Sequence, residues 1–121
     1  MELYEAISLF DRRKVNTITR PEKIRWLSVL DGLTYETVLR THADPGTFTP
    51  YTDQTATNTT LLIPAPHDEV YLWWMEAMSY YLYGEYVRYN NAMELFRTAF
   101  RRFADDYHRS HSPVSKVQAF Y

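Results

Sequence analysis

Near the end of the chain, Tyr89, Ala92, Met93, Phe96, Phe100, Phe103 and Tyr107 fall on one arc of a helical wheel, and Glu94, Arg97, Arg101, Asp105 and His108 fall opposite. A 3.6-residue period held over so many turns predicts an amphipathic helix from about Glu85 to Arg109. A long apolar stripe of this kind has to be covered, so the rest of the chain must supply elements that pack on it.

The pattern elsewhere supplies them. Leu3, Ala6, Ile7 and Phe10 predict a short amphipathic helix over residues 2–14, with Glu2 and Glu5 at its start and Arg12, Arg13 and Lys14 at its end matching the helix dipole. Thr19-Arg20-Pro21-Glu22 is a capping-box pattern with proline in the first turn, and it opens a second helix carrying Ile24, Leu27, Leu30, Tyr35, Val38 and Leu39 to about Thr41. Gly32 lies inside that helix and predicts a kink after Asp31. From His67, with Asp68 and Glu69 in the first turn, Val70, Trp73 or Trp74, Ala77 and Tyr81 recur at helical spacing until Gly84. This third helix is apolar almost all round, as expected of a central element.

Residues 43–66 break the helical pattern. They hold four of the six prolines, no Lys or Arg, and an Asp-Pro-Gly turn signal at 44–46. A loop this long is uncommon in a small domain, and the expectation is an arm that orders on assembly and contacts a neighbour. Phe48, Tyr51, Leu61, Leu62 and Ile63 are its expected contact residues. After Ser112-Pro113 the tail Val114–Tyr121 has β-type residues. The chain is therefore expected to be all-α: a small four-helix bundle over residues 1–113 with a long central loop, followed by an extended tail over 114–121. Ile24, Leu27, Leu30, Trp73, Phe96, Phe100 and Phe103 are the expected core.

Aromatics make up 17% of the chain, more than a small interior readily hides, which is read either as an aromatic-rich core or as burial completed in an assembly. There is no cysteine, so disulfides, thiol catalysis and cysteine-bound zinc are excluded. No basic leader with an apolar run opens the chain and no apolar run approaches a membrane span, so neither secretion nor membrane insertion is expected. The net charge of −2 argues against strong global attraction to nucleic acid, and the arginines of the last helix share their face with Glu94 and Asp105.

Candidate chemistry is sparse. His67-Asp68-Glu69 reads as a helix start. His108 and His111 have i, i+3 spacing, but no carboxylate is placed to complete a metal site. Asp105 and Asp106 point to different faces. No nucleophile-elbow or phosphate-loop motif is present, and no enzyme activity, metal or cofactor is expected.

The segments EKIRWLSVLDGLTYETVL (22–39), LLIPAPHDEVYLWWMEAMSYY (61–81) and GEYVRYNNAMELFRTAFRRFADDYHRSHSP (84–113) resemble head–tail connector (adaptor) proteins of siphophages and prophages of Gram-positive bacteria. Trp26-Leu27 to Asp31-Gly32, Pro64-Ala65-Pro66 before Asp68-Glu69, and Gly84-Glu85-Tyr86 to Arg88-Tyr89-Asn90-Asn91 carry the resemblance, which spans about residues 20–113.

The resemblance implies a non-catalytic helical subunit made in the host cytoplasm and placed in the virion at the head–tail junction. Twelve copies would form a ring under the portal protein, extend the channel for double-stranded DNA without sequence-specific binding, and face the stopper protein. On this reading Val114, Val117, Phe120 and Tyr121 would add the tail to the portal, main-chain pairing being a common way to capture an extended segment. Phe48, Tyr51 and Leu61–Ile63 would meet a neighbouring copy or the stopper. The competing class is a small helical DNA-binding or regulatory protein.

Overall fold

The computed structural model describes residues 1–113; Val114, Val117, Phe120 and Tyr121 lie outside the described residues. The chain is all-α, with α1 (Leu3–Arg13), α2 (Arg20–Thr37), α3 (Val70–Leu82) and α4 (Tyr86–Ser110), and one turn of 3-10 helix at Leu39–Thr41. α3 is the central element: α1 and α2 pack on each other and on it, and α4 packs on it as the second arm of a helical hairpin. That position is why α3 is apolar on nearly every side. Gly84, at φ +75°, supplies the left-handed residue that ends the α3 arm and reverses the chain into α4.

Thr19 caps α2, its hydroxyl accepting from the Glu22 N–H at 3.4 Å. Only this half of the capping box forms, because the Glu22 carboxylate is taken by Arg25. α2 continues as one helix past Gly32. It ends at Thr37, a little short of Thr41, and tightens into the 3-10 turn. α1 has no Ser, Thr, Asp or Asn at its start. Glu2 and Glu5 form a capping box in their place, the Glu2 N–H donating to Glu5 Oε1 at 3.1 Å, and the long loop meets the next two amides: Leu3 N–H donates to Thr59 O at 2.8 Å and Tyr4 N–H to Thr57 O at 3.0 Å.

The buried core comprises Leu3, Ile7 and Phe10 of α1, Ile24, Trp26, Leu27 and Leu30 of α2, Tyr71 and Met75 of α3, and Met93, Phe96 and Phe103 of α4, together with Leu61 and Ile63 of the loop. Two residues expected at its centre sit at its edge. Trp73 is half-buried, with the Arg13 guanidinium 5.0 Å from its ring centroid. Phe100 is half-buried between Phe96 and Phe103. The faces of α3 are too alike for periodicity to rank its two tryptophans. Trp74 is itself half-buried and donates its Nε1–H to Trp26 O at 2.8 Å.

The loop over 43–66 is no arm waiting for a partner. It is folded onto the bundle, with Leu61 and Ile63 at 2% and 0% exposure inside the chain's own core, and this removes both from the expected contact surface. Its first turn is the expected one, with Asp44 (φ 54°) and Gly46 (φ 72°) in left-handed conformations that Asp and Gly tolerate best, closed by Tyr35 Oη donating to Gly46 O at 2.8 Å.

Candidate functional site

The loop is held by one buried carboxylate. Asp31, fully buried on α2, accepts from Tyr71 Oη of α3 at Oδ1 (2.6 Å), and from Tyr51 Oη (2.6 Å) and the Leu62 N–H (3.1 Å) at Oδ2. Tyr71 Oη in turn accepts from the Ile63 N–H at 2.7 Å. Burial pushes the Asp31 carboxyl above its ordinary value, and the two phenols and the Leu62 amide pull the other way. Burial followed by the Asp31 charge raises both tyrosines, so they remain donors. A single side chain thus ties α2, α3 and two points of the loop. Of the network's members, Tyr51 also reaches the surface, where it lines a groove on α2.

Two surfaces remain open. The first is a groove of about 520 Å³ on the outer face of α2, walled by Val29 and Leu33 on one side and Phe48, Pro50 and Tyr51 on the other, with Gly32 as its floor. Phe48 and Tyr51 are half-buried here, Phe48 stacking on Tyr35 at 6.2 Å and meeting Tyr51 edge-on at 5.4 Å. They keep one face to solvent, and they are the members of the expected contact set that stay accessible. Leu62 is half-buried and serves mainly through its backbone N–H. Arg25 and Glu36 close the two ends of the groove.

The second surface is the turn between α3 and α4. Tyr81, Leu82, Tyr83, Tyr86 and Val87 are all about half exposed or more, and Val87 reaches 75%. The Tyr81 ring packs on Tyr86 and Tyr89 at 5.7 and 5.3 Å, which fixes the cluster before any partner arrives. The sequence did signal this cluster through its aromatic excess, but Tyr81 and Tyr86 sit at helical spacings that read equally well as core.

All four histidines gather near the C-terminal end of α4. His42, buried just after the 3-10 turn, donates its Nδ1–H to His111 O at 3.0 Å, which leaves Nε2 as the acceptor from His108 Nδ1 at 2.7 Å. His67 Nε2 lies 2.7 Å from Asp106 Oδ2, and Arg109 pairs with the other oxygen of Asp106. His67 thus spans to α4 rather than serving only its own helix start, and His108 pairs with His42 rather than with His111. His42 was invisible in the sequence because its partners are 66 and 69 residues away. Among the described residues, no three such side chains are placed to hold a metal ion. Beside this cluster the chain leaves α4 along a fixed path: Ala43 N–H donates to Ser112 O at 3.0 Å, and His42 and Pro113 form an isolated antiparallel bridge.

A groove between α3 and α4, lined by Trp73, Leu95, Ala99 and Arg102, also takes in Glu69 and His67, whose Nε2 lies 2.7 Å from Asp106 Oδ2. The outward face of α4 carries Glu94–Arg97 and Asp106–Arg109 ion pairs, a mixed rather than basic surface. Among the described residues, no helix is long and apolar enough to cross a membrane. No family model, curated protein or solved structure matches the chain.

Proposed function

We propose that this protein is a structural head–tail connector subunit: a small helical body that joins a ring of copies and hands its C-terminal tail to the portal protein of a phage capsid. The observation that carries this reading is the path of the chain out of α4. The Ala43–Ser112 hydrogen bond and the His42–Pro113 bridge tie residues 112 and 113 to the body, next to the residues that the reading assigns to the portal. An extended segment launched from a rigid anchor loses less freedom on capture than one launched from a loose end. Val114, Val117, Phe120 and Tyr121 are the residues that would fill pockets on the portal, the main chain adding a strand. The accessible faces of Phe48 and Tyr51, with the α3–α4 turn, are surfaces for neighbouring copies or the stopper. Double-stranded DNA would pass along mixed-charge walls without specific binding.

Light scattering on a size-exclusion column tests this with the full chain and the portal protein encoded beside it. Co-elution at about twelve copies per portal ring is the expected result. Deleting residues 114–121 should abolish it and leave the helical circular dichroism spectrum intact. Co-elution unchanged by the deletion would overturn the tail's role. Salt-sensitive DNA binding by the isolated chain, without portal binding, would replace the connector reading with a DNA-binding one.

A further inference from the structure

Residues 42–43 and 111–113 are held together by the His42 Nδ1–H on His111 O at 3.0 Å, the Ala43 N–H on Ser112 O at 3.0 Å, and the His42–Pro113 bridge. A side-chain contact fastens the same place to α4. His42 Nε2 and His108 Nδ1 lie 2.7 Å apart, with the ring centroids at 4.9 Å. His42 is 2% exposed, whereas His108 is open to solvent.

A nitrogen–nitrogen contact this short has room for one hydrogen. The His111 carbonyl can only accept, so His42 Nδ1 keeps its proton in every state. With both rings neutral, the shared hydrogen sits on His108 Nδ1. A proton added at the exposed His108 Nε2 leaves that hydrogen bond in place and makes it charge-assisted. A second proton has only His42 Nε2 left to take. Two N–H groups and two positive charges then point at each other, one of them buried.

The surroundings give that charge no partner. His42 faces His108 and Tyr107 of α4, the latter edge-on at 5.1 Å, and His111 at the end of α4, 6.0 Å away. In its own segment, Arg40 is paired with Glu36 and Asp44 lies two residues on in the turn. Asp106 of α4 is taken by His67 and Arg109, and His67–Asp106 is the one histidine–carboxylate pair among the described residues. The unfolded chain accepts both protons in acid, and the closed pair accepts one. The closed form therefore loses ground as the pH falls.

We infer that the His42–His108 pair is a pH-sensitive clasp on the exit of the chain from α4: it is closed while the rings share one proton and opens once both are charged, which releases residues 111–113 from the body. Imidazoles are the side chains that ordinarily charge between about pH 8 and 5, so mild acidification is enough to work it. This goes beyond the connector reading and does not rest on it.

Amide exchange in the full chain, without the portal, tests the clasp; rates are read as protection relative to an unstructured peptide at the same pH. The Ala43 N–H reports the clasp, and the Leu3 N–H, bonded to Thr59 O, reports the rest of the fold. From about pH 7.5 to about pH 5, Ala43 protection is expected to fall by up to about tenfold per pH unit, the slope of one proton taken up on opening, while Leu3 protection holds. His108→Gln keeps the contact and removes the switch, because its amide can turn either its N–H or its oxygen to His42 Nε2. Ala43 protection in that variant should be flat. In the native chain, nitrogen-15 shifts of the rings should show His42 Nε2 gaining its proton over the range in which Ala43 loses protection. Native Ala43 protection that stays flat, that falls together with Leu3, or that falls as steeply in His108→Gln would each overturn the clasp. So would a His42 Nε2 that gains its proton with Ala43 still protected.

Discussion

Tyr71 Oη donates to Asp31 Oδ1 at 2.6 Å across 40 residues of chain, and the same hydroxyl accepts from the Ile63 N–H. Three segments with no local relation are held by one phenol. Tyr71→Phe removes that oxygen and leaves a buried amide and a buried carboxylate oxygen each short of a partner. The expected cost is about 3 kcal/mol, since an orphaned buried polar group costs roughly 1–3 kcal/mol. Tyr51→Phe, where water reaches the half-buried ring more easily, should cost about 1 kcal/mol by the same reasoning. Urea titration of both variants checks the order; equal losses would contradict it.

Asp31 also gives the fold a pH signature. Its carboxyl lies above the ordinary 3.8 because of burial, so the native state binds a proton more readily than the unfolded chain. Its contribution is greatest below 3.8 and is lost as the pH climbs through the raised folded value. Asp31→Asn has no titration there, and it turns an amide donor toward the Tyr51 hydroxyl and the Leu62 N–H. The stability gap between native chain and Asp31→Asn should therefore be wider at about pH 4 than at neutral pH. A gap that widens with rising pH would reverse the sign and refute the assignment.

Asp11 shows the opposite behaviour. Partial burial raises its carboxyl, but the hydrogen bonds from Lys23 and Asn16 and the Lys23 charge outweigh this and leave it below 3.8. Its contribution is present above 3.8 and is lost as the pH falls through the folded value. Because Asp11 is 44% exposed, solvent screening limits the pair, and Asp11→Asn should cost about 1 kcal/mol at neutral pH. Thermal unfolding at two pH values checks it: the penalty should shrink on acidification.

Gly32→Ala tests how much the interior glycine costs α2. A methyl there would meet Phe48 Cε2 at 3.5 Å, an ordinary contact, and α2 gains helix propensity of up to about 1 kcal/mol. The variant should melt higher. Thermal unfolding checks it; a variant that melts lower would mean that Phe48 cannot accommodate the methyl.

Amide exchange distinguishes the folded loop from the expected arm. Leu3 and Tyr4, bonded to loop carbonyls, and Leu62 and Ile63, bonded to Asp31 and Tyr71, should exchange orders of magnitude more slowly than the exposed Asp53 and Gln54 in the isolated chain. Uniform fast exchange over residues 51–63 before assembly would restore the arm.

What was legible in the sequence is what depends on near neighbours. The α4 stripe needs only its own periodicity, and the Thr19 cap needs only the amide three residues on. Ile24, Leu27 and Leu30 were correctly placed in the core because α2 has distinct faces on that side. The Asp31 tie was not legible, since an aspartate inside a helix gives no sign that its partners lie 20 and 40 residues away. The loop was misread for a related reason: its prolines and threonines describe how it turns, while Leu61, Ile63 and the capping of α1 decide where it goes. The two apolar surfaces were half legible, as an aromatic excess without an address.

The order in which Asp31 acquires its partners bears on how this chain unfolds. The cost of taking the Asp31 carboxylate out of water is relieved only once both phenols and the Leu62 amide are in place, and these come from segments whose docking closes loops of 20, 31 and 40 residues. The tie is expected to form late, after α1, α2 and α3 have met; folding and unfolding rates of Tyr71→Phe check this. Interactions of that kind set how long a native molecule lasts rather than how fast it forms. The buried carboxylate is in this sense a latch, and substitutions at Tyr51 and Tyr71 should shorten the lifetime of the folded subunit while leaving its refolding rate nearly unchanged.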